Sequence, residues 1–256
     1  MIEIDLNPSN FGEVLACLGL FELAELYCLS FGGFEEREGK IKFVLETEVK
    51  LKELIEKLKK AKISSLQIQN LSERKCPVEI ELEDGKKLIL DWWLDPLLRD
   101  KKTSFLKIWG GRMHLHLKGS EKRSYLARYQ KEINVEKALE NLFYRKPLVS
   151  LGFDTWGGWD RSTAGYSYDD VGEPPYVSPI CELLSVIALR SFRPKEISLN
   201  SRKGLEYYLW KDRLPHSAAR LAFVGIWIGK PLIGPWRLEI REKGQAYKHL
   251  TQSQRF

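Results

Sequence analysis

Cysteine is scarce in this 256-residue chain. Cys17, Cys28, Cys76 and Cys181 show no Cys-x-x-Cys spacing and no histidine at a finger-like distance. That excludes a disulfide framework and a thiolate zinc site, and predicts free thiols in a reducing, cytoplasmic setting. Long hydrophobic runs are also missing: the most apolar stretch, Val14–Phe31, is interrupted by Glu22 and Glu25, so no membrane span is expected. Met1-Ile2-Glu3-Ile4-Asp5 lacks a basic leader region, so no secretory signal is expected. There is no nucleophile elbow, no glycine loop to cradle a phosphate, no internal repeat and no low-complexity linker. The residues therefore point to no catalytic machinery, no metal and no cofactor.

What is abundant is charge, unevenly placed. Charged residues make up 30% of the chain beside a hydrophobic share of 43%, a globular balance rather than a disordered one. Residues 1–98 carry 13 basic and 19 acidic side chains, a net of −6. Residues 99–146 carry 13 and 5, a net of +8, and residues 147–256 carry 15 and 11, a net of +4. Trp92, Trp93, Trp109, Trp156 and Trp159 flank or interrupt the basic block. Cations that replace phosphate counterions, set among flat rings that stack on bases, are the chemistry that holds a nucleic-acid strand. A polyanionic partner is the leading expectation, although a net charge of +6 is modest in itself.

Periodicity predicts an α+β chain, mostly antiparallel sheet packed with a buried N-terminal helix and further helices. The length suits a single domain over 1–256, with a division near residue 97 into an N-terminal α+β part and a basic C-terminal part as the alternative. Residues 2–6 alternate as a strand, and 11–31 read as a helix apolar on most faces, with Gly12 and Gly19 admitting a close neighbour and Gly32-Gly33 ending it. A hairpin around Gly39 and a helix over 48–61 follow. Asp84-Gly85 between alternating runs predicts a hairpin with a type I′ turn. A polar-basic helix is expected within 120–145. Ser178-Pro179 reads as N-cap and first turn of a helix carrying Ile180, Leu183, Leu184 and Ile187. Strands are expected at 205–210, 220–228 and 236–242.

Candidate binding residues come from the basic and tryptophan-rich stretches. Lys107-Ile108-Trp109-Gly110-Gly111-Arg112 puts two cations and a ring beside glycines that allow close backbone approach to a phosphate; a structural turn with Trp109 buried is the alternative. Lys101 and Lys102 extend the patch. Trp156 and Trp159, joined through Gly157-Gly158 and followed by Arg161, sit in the long aperiodic stretch 152–175, read as a binding loop or as a lid folded on the core. Arg190 and Arg193 end the helix that Ser178 begins, where positive charge is favourable on its own account. His114 and His116 share a strand face, where two imidazoles at that spacing could hold a metal, act as acid and base in RNA cleavage or be ordinary surface histidines, and His216, after Leu214-Pro215, is read the same way. Glu79 and Glu81 alternate with Val78, Ile80 and Leu82 as a wet strand face does, rather than as a metal cluster.

Three local patterns, in order, resemble one family. The first is Asn7-Pro8 with Val14-Leu15-Ala16-Cys17-Leu18-Gly19-Leu20-Phe21-Glu22-Leu23-Ala24. The second is Leu90-Asp91-Trp92-Trp93-Leu94 with Lys107-Ile108-Trp109-Gly110-Gly111. The third is Gly152-Phe153-Asp154, Gly165-Tyr166-Ser167, Glu182-Leu183-Leu184 and Arg190-Ser191-Phe192-Arg193-Pro194. Together they resemble the reduced large-subunit family of type I-U (I-G) CRISPR effector, or Cascade, complexes. Gly110 stands where such sequences usually carry alanine. The resemblance implies a non-catalytic subunit of an RNA-guided DNA surveillance complex, contributing to recognition of the motif flanking the target, duplex opening and nuclease recruitment. The implied partners are double-stranded target DNA, guide RNA held through other effector subunits, the backbone and guide-capping subunits, and a helicase-nuclease, with no membrane. Lys101, Lys102, Lys107, Trp109 and Arg112 would form the nucleic-acid face. Arg161, flanked by Trp156 and Trp159, would be the wedge or motif reader, with Arg190 and Arg193 as further contacts. A guide-RNA-processing endoribonuclease using His114 or His216, and a protein-scaffold subunit without DNA contact, are the alternatives.

Overall fold

The computed structural model describes residues 1–71, 76–94, 124–155, 174–199, 202–227, 229, 231–243 and 247–256, with the backbone alone at 241–243 and 247–249. In chain order these hold β1 (Ile2–Leu6), α1 (Phe11–Glu25), β2 (Phe31–Arg37), β3 (Lys40–Glu46), α2 (Leu51–Lys60), β4 (Lys62–Ser65), β5 (Val78–Glu81), β6 (Lys87–Leu90) and a 3₁₀ turn at Trp92–Leu94. There follow α3 (Tyr125–Lys131), α4 (Val135–Glu140), β7 (Lys146–Pro147), β8 (Tyr176–Val177), α5 (Pro179–Ala188), β9 (Lys195–Leu199) and β10 (Arg202–Leu209). The last elements are β11 (Leu214–Pro215), α6 (His216–Phe223), β12 (Ile233–Lys243), β13 (Tyr247–Leu250) and β14 (Gln254–Arg255). The chain is thus a mixture of helices and several antiparallel sheets.

One sheet runs β1-β3-β2-β11 and a second runs β13-β12-β10-β9, with β14 added to β12. Smaller sheets are β4-β5-β6 and the pair β7-β8. The β2–β3 hairpin turns on Glu38 and Gly39, both at positive φ (52° and 75°), the left-handed pair that suits strand twist. The β5–β6 hairpin differs from the type I′ expectation. Gly85 N donates to Leu82 O at 2.8 Å and Gly85 has φ 79°, while Asp84 stays out of the left-handed region. The loop is therefore three residues long, with glycine alone supplying the positive φ.

α1 begins at Asn10, whose side chain accepts from Gly12 N, and every residue from Phe11 to Ala24 is buried. Its sequence is apolar all round, so it has neighbours all round. Phe21 faces Phe43 of β3 at 6.4 Å, Phe11 meets Tyr207 of β10 at 5.0 Å, and the helix packs along α5, whose ten residues are all buried. A Cβ on Gly19 would stand 2.2 Å from Leu184 O, so the two helices cross on a bare backbone. The helix is shorter than the expected 11–31. Gly32 and Gly33 lie inside β2, where added side chains would strike the Phe21 ring (2.8 Å) and Asp212 O (2.3 Å). Their lack of a side chain answers a packing need, not a helix end.

Of residues 220–228, expected as a strand, 220–223 instead belong to helix α6 and 224–225 to the turn after it, while 228 lies outside the described residues. Ala219, Ala222 and Phe223 face the core at helical spacing, and Phe223 stacks 5.6 Å from Tyr207. Trp92 and Trp93, expected to flank a nucleic-acid face, are sealed inside at 0% and 5% exposure. Trp92 Nε1 donates to Val186 O of α5 at 3.2 Å, which satisfies its only polar group. Among the described residues, most of the buried hydrophobic side chains form one cluster, from Ile2 to Leu250.

Candidate functional site

Two long segments carry most of the candidate binding residues, and Lys101, Lys102, Lys107, Trp109, Arg112, Trp156, Trp159 and Arg161 lie outside the described residues, as do His114 and His116. The residues bordering those segments are placed, and they converge on α5. Segment 95–123 is entered after the Trp92 contact to Val186 and left at Ser124, a buried N-cap whose helix α3 packs on α5. Segment 156–173 is entered after Asp154 and Thr155 and left before Ser178, the N-cap of α5.

Asp154 is the hub of that second root. Its buried carboxylate accepts from Asn10 Nδ2 (2.8 Å), Arg145 Nε (2.9 Å) and Ser178 N (2.9 Å). Arg145 also reaches Glu13 at 2.9 Å, and Glu13 accepts Asn7 N at 2.7 Å. Asn10 Oδ1 accepts Thr155 N at 3.1 Å, so α1 and the loop root share one cap residue. Next to it, Glu182 of α5 takes the Ser150 hydroxyl at 2.8 Å and lies 3.3–3.4 Å from the N–H groups of Gly152, Phe153 and Asp154. Burial pushes the Glu182 carboxyl up to about 7, with the Asp154 charge adding to the rise. Burial likewise raises Glu13 against its hydrogen bonds from Asn7 and Arg145. For Arg145, burial alone would lower the value, but the bonds and charges of Asp154 and Glu13 prevail and raise it.

Arg190 and Arg193 both follow α5. Arg193 Nε donates to Leu189 O at 3.3 Å. Arg190, 41% exposed at its side chain, donates to Oε2 of Glu22, which is 2% exposed, at 3.2 Å. Glu22 Oε1 faces His216 Nε2, also at 3.2 Å, without the alignment of a hydrogen bond. His216 opens α6 and stands edge-on to Phe21 and Phe192. Glu22, Arg190 and His216 line an open cleft of about 530 Å³. Here a carboxylate meets both a guanidinium and an imidazole, so the cleft can hold polar ligands and exchange protons. Sequence reasoning singled out Arg190 and His216 separately and missed their junction at Glu22. The available signal was a carboxylate in the middle of an otherwise apolar helix, which must find a partner when buried.

Among the described residues no group of three His, Cys, Asp or Glu side chains could hold a metal ion, and no helix is long and apolar enough to cross a membrane. Scans against protein-family models, curated proteins and solved structures find no match to this chain.

Proposed function

We propose that this chain is a non-catalytic, DNA-binding subunit of a CRISPR RNA-guided surveillance complex, with a part in flanking-motif recognition, duplex opening and helicase-nuclease recruitment. One observation carries the reading. The sequence patterns that resemble the reduced large subunits are far apart in the chain, yet those among the described residues interlock around α1 and α5. Gly19 abuts Leu184, Trp92 bonds Val186, Glu182 lies against the amides of Gly152, Phe153 and Asp154, and Arg190 pairs with Glu22. The described residues that border the basic block and the tryptophan-rich loop pack on the same two helices. In such a complex guide pairing reads the sequence, while protein arginines read a few base pairs and lysines supply salt-sensitive affinity. Co-expression with guide RNA and candidate backbone and guide-capping subunits tests it. The chain should elute with the RNA-bearing assembly; elution alone, in the presence of an assembled complex, overturns it.

A guide-RNA-processing endoribonuclease is the second reading, favoured by His216 beside a buried carboxylate in a cleft. Repeat RNA that is cut by wild type and left intact by His216→Ala would support it over the first.

A further inference from the structure

The cleft at Glu22 shares no lining residue with the Asp154 hub, and its lining carries both signs. Arg190 and Ser191 come from the segment just after α5 and Arg220 from α6, while Glu25 and Asp91 come from α1 and the turn after β6. Leu26 and Ile89 add an apolar edge, Ile89 being 43% exposed. A purely anionic ligand would meet Asp91 and Glu25, and a purely cationic one would meet the two arginines. We propose that the cleft binds one ribonucleotide unit, its phosphate at Arg190 and Arg220 and its ribose hydroxyls at Asp91 and Glu25. This rests on the nucleic-acid reading above and names a site for it outside the basic block.

Each part of such a ligand has its complement. Guanidinium forks match phosphate oxygens, ionised carboxylates accept from the two ribose hydroxyls, and the apolar edge receives a base face. The volume falls within the range of roughly 300–1,000 Å³ typical of small-ligand sites. Two features mark the cleft as under-satisfied. The Asp91 and Arg220 side chains are exposed and have no hydrogen bond or ion pair among the described residues. Below them, Glu22 Oε1 is buried and makes no hydrogen bond among the described residues, although His216 Nε2 stands 3.2 Å away.

Calorimetric titration of the full chain with AMP, dAMP and a short 5′-phosphorylated RNA tests the assignment. AMP should bind about tenfold more tightly than dAMP, the worth of one charge-assisted hydrogen bond. Asp91→Asn should shrink that ratio, and Arg220→Ala should weaken both nucleotides about tenfold. Both positions are exposed, so neither variant threatens the fold. RNA binding tighter than AMP places the unit on a strand; equal affinity makes it a free nucleotide; both agree with the proposal. Equal binding of AMP and dAMP by wild type, or variants indistinguishable from it, overturns the proposal. That failure would leave salt-dependent DNA binding by residues 99–146 standing, so the two readings fall separately.

Discussion

Asp154 accepts the backbone N–H of Ser178 at 2.9 Å, so one buried carboxylate clasps both ends of segment 156–173. The same carboxylate holds Arg145 and Asn10, and Ser178 caps α5. Asp154→Ala should therefore lower stability by about 3–5 kcal/mol, the cost of breaking a buried ion pair and leaving the Ser178 N–H without its acceptor. Urea unfolding measures it; an unchanged midpoint would mean that the hub does not hold the fold.

Glu182 sets a pH dependence of definite sign. Its folded value, about 7, lies above the ordinary 4.5, so the folded chain binds the extra proton between those values. Stability should fall as pH rises through that window, by a few kcal/mol in total, since each tenfold difference in proton affinity is worth about 1.4 kcal/mol. Urea midpoints at pH 5 and pH 7.5 check this. Glu182→Gln should flatten the difference; an equal slope in the variant would assign it elsewhere.

Arg190 and Glu22 should be energetically coupled. Arg190→Ala leaves the Glu22 charge with His216 alone, and Glu22→Gln removes the charge itself. A double-mutant cycle should return a coupling of about 1–3 kcal/mol, reduced by the partial exposure of Arg190. A coupling near zero would show that Arg190 stabilises nothing through Glu22.

Gly19→Ala should push α1 off α5, since its Cβ would come 2.2 Å from Leu184 O. The expected loss is about 1–3 kcal/mol or more. Gly39→Ala meets nothing within 4 Å, so only its positive φ of 75° opposes it, at about 1–2 kcal/mol. Thermal melts of the two variants compare backbone collision with backbone conformation.

Local physics made much of the fold legible: alternation in β1, the Ser178-Pro179 start of α5, the Glu38-Gly39 hairpin, and the glycines of α1 awaiting a close neighbour. The errors had distant causes. Gly32 and Gly33 answer to Phe21 and Asp212, and Trp92 answers to a carbonyl 94 residues away. α6 begins after Pro215 with no side-chain cap, so it carried no start signal. The polar hub joins Asn10 to Asp154 across 144 positions, and no short pattern announces such a pairing. Of the candidate site, Arg190 and His216 were visible as residue types, but their meeting at Glu22 needed the tertiary fold.

Affinity for duplex DNA as a function of salt tests most directly whether residues 99–146 neutralise phosphates. Log affinity should fall linearly with log salt, at about −0.9 per phosphate engaged, and the Lys107→Ala/Arg112→Ala pair should make that slope shallower by about two. A slope near zero, or one unchanged in the double variant, would contradict the account.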